Sequence, residues 1–363
     1  MITIQHTKNH KGFTLLELMI AITISSILML GVSQIFSNSK RTYKLNNALA
    51  KTQENIRYAS EEMARDIRMA GYTGCRNNTI TNTLNTGSNW KYNIGKPLLG
   101  FEGGVDTFPT EYASSVIAGT DSIIVLRGGE DTGLKFDVQN GNAASFNVNT
   151  TNHGFENGDI IMLSDCTHTA VIQIVTASSS SQTLTHGTGA GSPGNCTKGL
   201  GSADCTEGVN GTAYNWNKDA HVVKFQATAY YIAASANGLA GNRSLYRMYV
   251  DKSSTYAEEL VEGVENMQIT YGYDTNGDGF ANRYVTANNV TGADFNSVVS
   301  VRIGLLFQSY DNAKRSVYKK DFSLAGTTIT STSSTPGSHE YAEDHRLRYA
   351  VNTVIKLRNR GVK

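Results

Sequence analysis

Between Phe13 and Phe36 the sequence runs for 24 residues with a single charge, Glu17. At about 1.5 Å rise per residue, a helix of that length crosses a hydrocarbon core of about 30 Å. A carboxylate inside such a span costs roughly 2.5–3.5 kcal/mol at the bilayer centre and less near the interface, so Glu17 needs a partner of opposite charge. Lys8 and Lys11 precede the span while Lys40, Arg41 and Lys44 follow it. The positive-inside rule alone therefore does not orient it. No small-residue cleavage site follows the apolar run, which disfavours a secretory signal peptide.

The helical pattern continues past Phe36. Neither Pro nor Gly occurs between Val32 and Ala70, and Leu45, Leu49, Ile56, Ala59, Met63, Ile67 and Ala70 recur at steps of three, four or seven. That stripe predicts an amphipathic helix with one buried and one wet face. Gly71 and Gly74 are stop signals. One helix from Phe13 to Ala70 has a length of roughly 87 Å. Its first half, 13–36, is the apolar span; an amphipathic half, 37–74, leads into a globular domain, 75–363.

Gly12-Phe13 followed by Glu17 and an unbroken apolar run resembles the class III signal of type IV pilins and of the pseudopilins of type II secretion. The resemblance implies that residues 1–12 are a leader, that a prepilin peptidase cuts after Gly12, and that the new terminal residue, Phe13, is N-methylated. It also implies that Glu17 meets the terminal ammonium of a neighbouring subunit and sets the register of assembly. Two opposite charges buried together cost far less than either alone. Three further blocks resemble the PilW family of minor pilins: Ala64-Arg65-Asp66-Ile67-Arg68-Met69-Ala70-Gly71-Tyr72-Thr73-Gly74-Cys75, Leu260 to Met267 with Val298 to Ile303, and Arg346-Leu347-Arg348-Tyr349 with Leu357 to Arg360. The middle of the chain, about residues 76–255, carries little of this likeness. Within the first block, Arg65, Asp66 and Arg68 are expected on a solvated or domain-contacting face.

A net charge of +1 gives no basic footprint for nucleic acid. Thirty-five glycines, many Ser, Thr and Asn and only 4 prolines point to a loop-rich β domain. Strand-like runs occupy Asp121–Arg127, Asp159–Ser164, Ala170–Thr176, His221–Ala233, Arg243–Val250, Val264–Tyr273, Ser297–Tyr310 and Arg346–Leu357. They do not alternate with helices, so the fold class is α+β: pilin-like, a long N-terminal helix with a large antiparallel β-sheet or β-sandwich domain. Val301-Arg302-Ile303-Gly304-Leu305 suits a sheet with one wet face. Residues 77–121 read as loops with a short strand or two, and Ala177–Gly211 as a surface loop.

Cys75, Cys166, Cys196 and Cys205 all follow the apolar span without C-x-x-C spacing. Four cysteines allow three connectivities. The expected pairs are Cys196–Cys205, a short loop, and Cys75–Cys166, with free buried thiols as the alternative. Disulfides fit a periplasmic domain, so the N-terminus is cytoplasmic and the body lies outside the inner membrane.

Asp274-Thr275-Asn276-Gly277-Asp278-Gly279-Phe280 begins like a calcium loop, with Asp274, Asn276, Asp278, the Phe280 carbonyl and Asn282 as oxygen donors. Its twelfth position is Val285 rather than a bidentate Glu, so the alternative is a hairpin turn satisfied by its own Asn, Asp and Gly. No G-x-S-x-G elbow or Gly-Lys-Ser/Thr loop is present. His339-Glu340-Tyr341-Ala342-Glu343 lacks the second His of a zinc-protease helix, and His153, His168 and His221 are scattered. The expectation is a non-enzymatic filament subunit that requires no cofactor beyond a possible Ca²⁺. Its partners are other minor pilins, the major pilin, a tip adhesin of the PilY type, prepilin peptidase and the inner membrane. A J-type pseudopilin and a membrane-anchored adhesin or calcium-dependent binding module are the rival readings.

Overall fold

The computed structural model describes residues 12–75, 79–139, 143–201, 205, 208–238, 241–290 and 295–359. Helix α1 covers Leu15–Arg68, 54 residues and about 81 Å of helix. Thr14 caps it reciprocally with Glu17: the Glu17 amide donates to Thr14 Oγ1 (3.2 Å) and the Thr14 amide to Glu17 Oε2 (3.0 Å). At the other end Gly71 takes the left-handed conformation (φ +71) and donates to the Leu126 carbonyl at 2.9 Å. A side chain there would be strained, so glycine turns the chain off the helix and into a sheet.

Strands β1 (Thr79–Asn82), β2 (Leu98–Phe101) and β3 (Ser122–Gly128) follow, then a hairpin of β4 (Phe136–Gln139) and β5 (Ser145–Val148). Next come β6 (Ile160–Ser164), β7 (His168–Gln173) and β8 (Thr183–Thr185). The long β9 (His221–Ala234) pairs with β10 (Arg243–Asp251), which pairs with β11 (Ser254–Glu262). The family-like C-terminal part holds β12 (Val264–Tyr273), β13 (Arg283–Val285), β14 (Val298–Asn312), β15 (Phe322–Leu324), β16 (Thr327–Thr332), β17 (Glu340–Ala342) and β18 (Arg346–Lys356).

The first sheet has the order β1-β7-β6-β9-β10-β11, with β3 also on β9 and β2 on β3. The second has the order β13-β12-β14-β18; two three-stranded sheets, β4-β5-β8 and β15-β16-β17, flank them. Pairing is antiparallel except in β1–β7 and β16–β17. The parallel pair β1–β7 follows from the bond between Cys75 and Cys166, whose Cα atoms lie 4.9 Å apart. That bond starts both strands side by side, and the Thr79 amide then donates to the Thr167 carbonyl.

The main core lies where α1 meets both large sheets. Ala59, Met63, Ile67 and Ala70 pack with Ile123, Val125, Tyr230 and Ile232 of the first sheet and Met267, Ile269, Tyr271, Val301, Ile303 and Ile355 of the second. Alternate residues of the first sheet, Ile124, Leu126, Met162, Phe225 and Tyr231, face a separate core roofed by Leu84, Tyr92, Ile94 and Tyr112. Burial on both faces explains the unbroken apolar runs in β3 and β6, since a half-wet strand would alternate. The stretch before β3 lacks period because it is an irregular cover held by aromatic contacts, such as Tyr112 stacked on Tyr231 at 4.7 Å.

Two sequence expectations are corrected by packing. Residues 177–211 are no mere surface loop: Leu184, His186, Asn195, Thr197 and Leu200 are buried. The Asn195 amide donates to the carbonyls of Gln173 (2.7 Å) and His186 (3.1 Å) and accepts the Gln173 N–H (2.8 Å), which stitches the segment to β7. The outer face of the second sheet is only partly wet. A Cβ on Gly304 would lie 2.6 Å from the Leu324 and Ala325 backbone, so glycine lets β15 and its partners lie directly on β14. Leu306 is sealed beneath them with Phe322, Leu324, Ile329 and Tyr341.

Candidate functional site

The apolar half of α1 buries none of its surface against the rest of the chain. Phe13 is 90% exposed and Phe36 69% exposed, and every residue between them is exposed as well. By length and composition this segment can cross a membrane. So large an apolar surface on one chain calls for lipid or other helices to cover it. Among the described residues, Glu17 is held only by Thr14, whose amide and hydroxyl (3.1 Å) both donate to it. The carboxylate thus has no cation among the described residues, and its remaining lone pairs face outward. Gly12 has nothing within 4 Å of where a Cβ would stand. Residues 1–11 of the expected leader, with Lys8 and Lys11, fall outside the described residues, as does Arg360.

The second half of α1 is joined to the domain by charge as well as by apolar packing. Asp66 is 3% exposed, receives Arg127 Nη2 at 2.9 Å and accepts the Tyr230 hydroxyl at 2.7 Å. Burial, and then the adjacent Asp66 carboxylate, hold the Tyr230 phenol well above its ordinary range, so it stays a donor. Of the two expected settings, a solvated or a domain-contacting face, Asp66 takes the domain-contacting one. This acid faces the sheet because β3 and β9 supply a cation and a hydroxyl there, whereas Arg65 stays exposed and pairs with Glu62 (2.7 Å). Glu62 also receives Arg247 of β10 at 3.3 Å. Asn55 donates to the Glu262 carbonyl at 2.8 Å, and the Arg358 amide donates to the Arg68 carbonyl at 2.9 Å. The C-terminal end of the chain thereby satisfies one of the open carbonyls at the end of α1.

Two of the family-like blocks meet in space. Arg348 of β18 is 2% exposed and clamps Glu265 of β12 through Nε (2.6 Å) and Nη2 (3.1 Å). It also reaches Asp344 at 2.6 Å and lies 4.3 Å from the centre of the Tyr341 ring. Burial acts to lower the guanidinium pKa, but Glu265 and Asp344 outweigh it and raise it. A bidentate pair buried this way fixes geometry more than it adds stability.

The other candidates resolve locally. In the Asp274 loop, Asp274 accepts backbone N–H groups from Asn276 (3.2 Å), Gly277 (2.7 Å) and Gly279 (2.8 Å), and Gly279 has φ +81. Asp278 accepts the Phe280 amide (2.8 Å) and the Asn276 side-chain amide (3.0 Å), while Asn282 accepts from the amide and hydroxyl of Thr275. The oxygens converge on one turn, which the backbone already closes. Glu340 lies in β17 and accepts the Gly337 amide at 2.8 Å. No group of three His, Cys, Asp or Glu residues among the described residues has the geometry to hold a metal. The histidines serve the fold: His168 bonds Leu200 O (2.7 Å) and Thr81 Oγ1 (2.8 Å), His153 bonds Ser178 O (3.1 Å), and His221 lies 2.8 Å from Asp131. The cysteines pair as Cys75–Cys166 and Cys196–Cys205.

Residues 229–359 match the family model of Type IV Pilus-assembly protein W, and residues 7–33 match the prokaryotic N-terminal methylation motif. Over residues 229–359 the chain is thus similar to the PilW family. No curated protein and no solved structure matches it. The two matched regions hold Glu17 at one end and the Arg348–Glu265 clamp at the other. The segment between them carries both disulfides and most of the first sheet. A class III signal followed by an exposed apolar helix fits a membrane-anchored pilin, a structural subunit that works with other pilins and the pilus machinery.

Proposed function

We propose that this chain is a minor pilin that is held in the inner membrane by α1, primes assembly of a type IV pilus and sits at or near its tip. The observation that carries this reading is a wholly exposed apolar half-helix with one acid, joined to a large domain through Asp66 and Arg127. Moving α1 from lipid into a bundle of like helices replaces one apolar environment by another. Glu17 then gains the ammonium of a neighbouring Phe13-type terminus, which sets the axial register. The size of the domain supports the tip position, because a body of nearly 300 residues is hard to repeat along a thin shaft. Mass spectrometry of the protein from sheared fibres tests the reading: the mature chain is expected to begin at Phe13 with one added methyl group. Recovery of an intact Met1 from assembled fibres overturns it. A J-type pseudopilin is separated by deletion, which abolishes secretion rather than pili.

The Asp274 loop is proposed as a weak calcium site, with Asp274, Asn276, Asp278, the Phe280 carbonyl and Asn282 as donors. Its support is the left-handed Gly279 and the cluster of oxygens on one turn. Calcium is expected to raise the melting temperature of the protein, and Asp274→Ala with Asp278→Ala to remove that rise. A melting curve indifferent to calcium rejects the site.

A further inference from the structure

The helix carries a second feature that anchoring and Glu17 do not use. From Leu18 to Gln53 it contains no acidic residue, yet it holds Lys40, Arg41, Lys44 and Lys51. Lys51 reaches Glu262 of the domain at 3.5 Å. Lys40, Arg41 and Lys44 are exposed and have no ion pair, side-chain hydrogen bond or ring contact among the described residues. They begin four residues past Phe36, so they sit roughly 6–12 Å beyond the end of the apolar segment along the axis. The headgroup layer of a bilayer adds about 5–7 Å on each side of the hydrocarbon. Tyr43, 73% exposed, stands among them, and Tyr is a residue that favours this interface.

We infer that Lys40, Arg41 and Lys44 form a collar that binds the phosphate headgroups of anionic lipid on the outer leaflet of the membrane that holds α1. The inference rests on the anchoring proposed above. Its grounds are charge complementarity and continuity with the apolar span: three adjacent cations with no acid nearby on the helix meet a surface of fixed negative charge. The long side chains lay their methylenes against lipid and raise their charged heads to the phosphates. The collar fixes the depth of α1, and its contacts must break before the helix leaves the bilayer for a fibre. The acids of a neighbouring pilin are the competing occupant.

The test reconstitutes the full-length chain in vesicles of phosphatidylcholine alone and in vesicles containing about one third phosphatidylglycerol. A water-soluble amine reagent labels the lysines, and mass spectrometry reads each rate against Lys96, an exposed lysine of the globular domain. A phosphate beside an ammonium holds it protonated and slows labelling. Lys40 and Lys44 are expected to label about three-fold or more slowly in the anionic vesicles, with the difference removed by high salt, since exposed charge pairs are screened. Equal relative rates in both vesicles overturn the collar, as does slowing that survives salt. Protection found only in sheared fibres assigns the cations to a neighbouring pilin and also overturns it. A chain that carbonate washes off both vesicles sinks the anchor and the collar together, an outcome distinct from an inserted chain with unchanged lysines.

Discussion

Asp66 shows how one side chain can hold an element. Its carboxylate is the only acid of α1 that is fully enclosed among the described residues, and both its partners, Arg127 and Tyr230, come from the first sheet. Asp66→Ala leaves a guanidinium and a hydroxyl buried without their acceptor. The expected loss is about 3–5 kcal/mol in denaturant unfolding, because breaking one side of a buried pair strands the other. Asp66→Asn is expected to cost less, since a carbonyl oxygen remains. A loss below about 1 kcal/mol for the alanine variant, the level of a surface pair, refutes that role. Asp121 makes a different prediction. Burial, with the Glu102 and Asp106 carboxylates nearby, pushes its carboxyl up to about 8, even though it accepts the N–H groups of Gly103 (2.9 Å) and Ile269 (2.7 Å). The unfolded value is about 3.9. The folded state therefore holds this proton more tightly, so the contribution to stability is full below about pH 4 and is lost as pH rises towards 8. Melting temperatures recorded from pH 5 to 9 are expected to fall less steeply for Asp121→Asn than for the wild type. Parallel curves reject the assignment.

At the scale of elements, the two disulfides differ in what they close. Cys75–Cys166 spans 91 residues and ties the exit from α1 to the start of β7; Cys196–Cys205 spans 9 and tightens one segment. In the chain-entropy treatment the long loop is worth about 4.5 kcal/mol and the short one about 2.5. Cys75→Ser with Cys166→Ser is accordingly expected to lower stability more than Cys196→Ser with Cys205→Ser, as read by urea midpoints at constant m-value. The long bond also sets the parallel pair β1–β7, so its loss is expected to expose β1 to hydrogen exchange before the rest of the sheet. The reverse order of stabilities dismisses the entropic account.

For the whole molecule, α1 is one rod with two environments. Its lower half offers apolar surface to lipid or to other helices, and its upper half is locked into the body at Asn55, Glu62 and Asp66. A shift of the rod therefore carries the domain with it. Glu17→Ala removes the one charge of the span, so insertion and leader removal are expected to proceed while recovery in sheared fibres drops about ten-fold or more. Such a drop is what an unpaired ammonium in an apolar bundle requires. Wild-type amounts of the variant in fibres refute the pairing. Immunogold labelling is expected at fibre ends; even labelling along the shaft excludes the tip position.

The anchor was legible in the sequence because membrane insertion and helix formation depend on local order: length, apolar content, one acid and the absence of Pro and Gly from Val32 to Ala70. The same holds for the stop at Gly71 and for the strands Val264–Tyr273 and Arg346–Lys356, whose residues repeat with the period of a sheet. The disulfide partners followed from the short spacing of one pair. Tertiary structure alone decided that Asp66 turns inward, that Arg348 finds Glu265 at a sequence distance of 83, and that Asn195 ties its segment to β7. Charge pairing and covering of a sheet join residues far apart in the chain, and no periodicity records which distant side chain will supply the counter-charge.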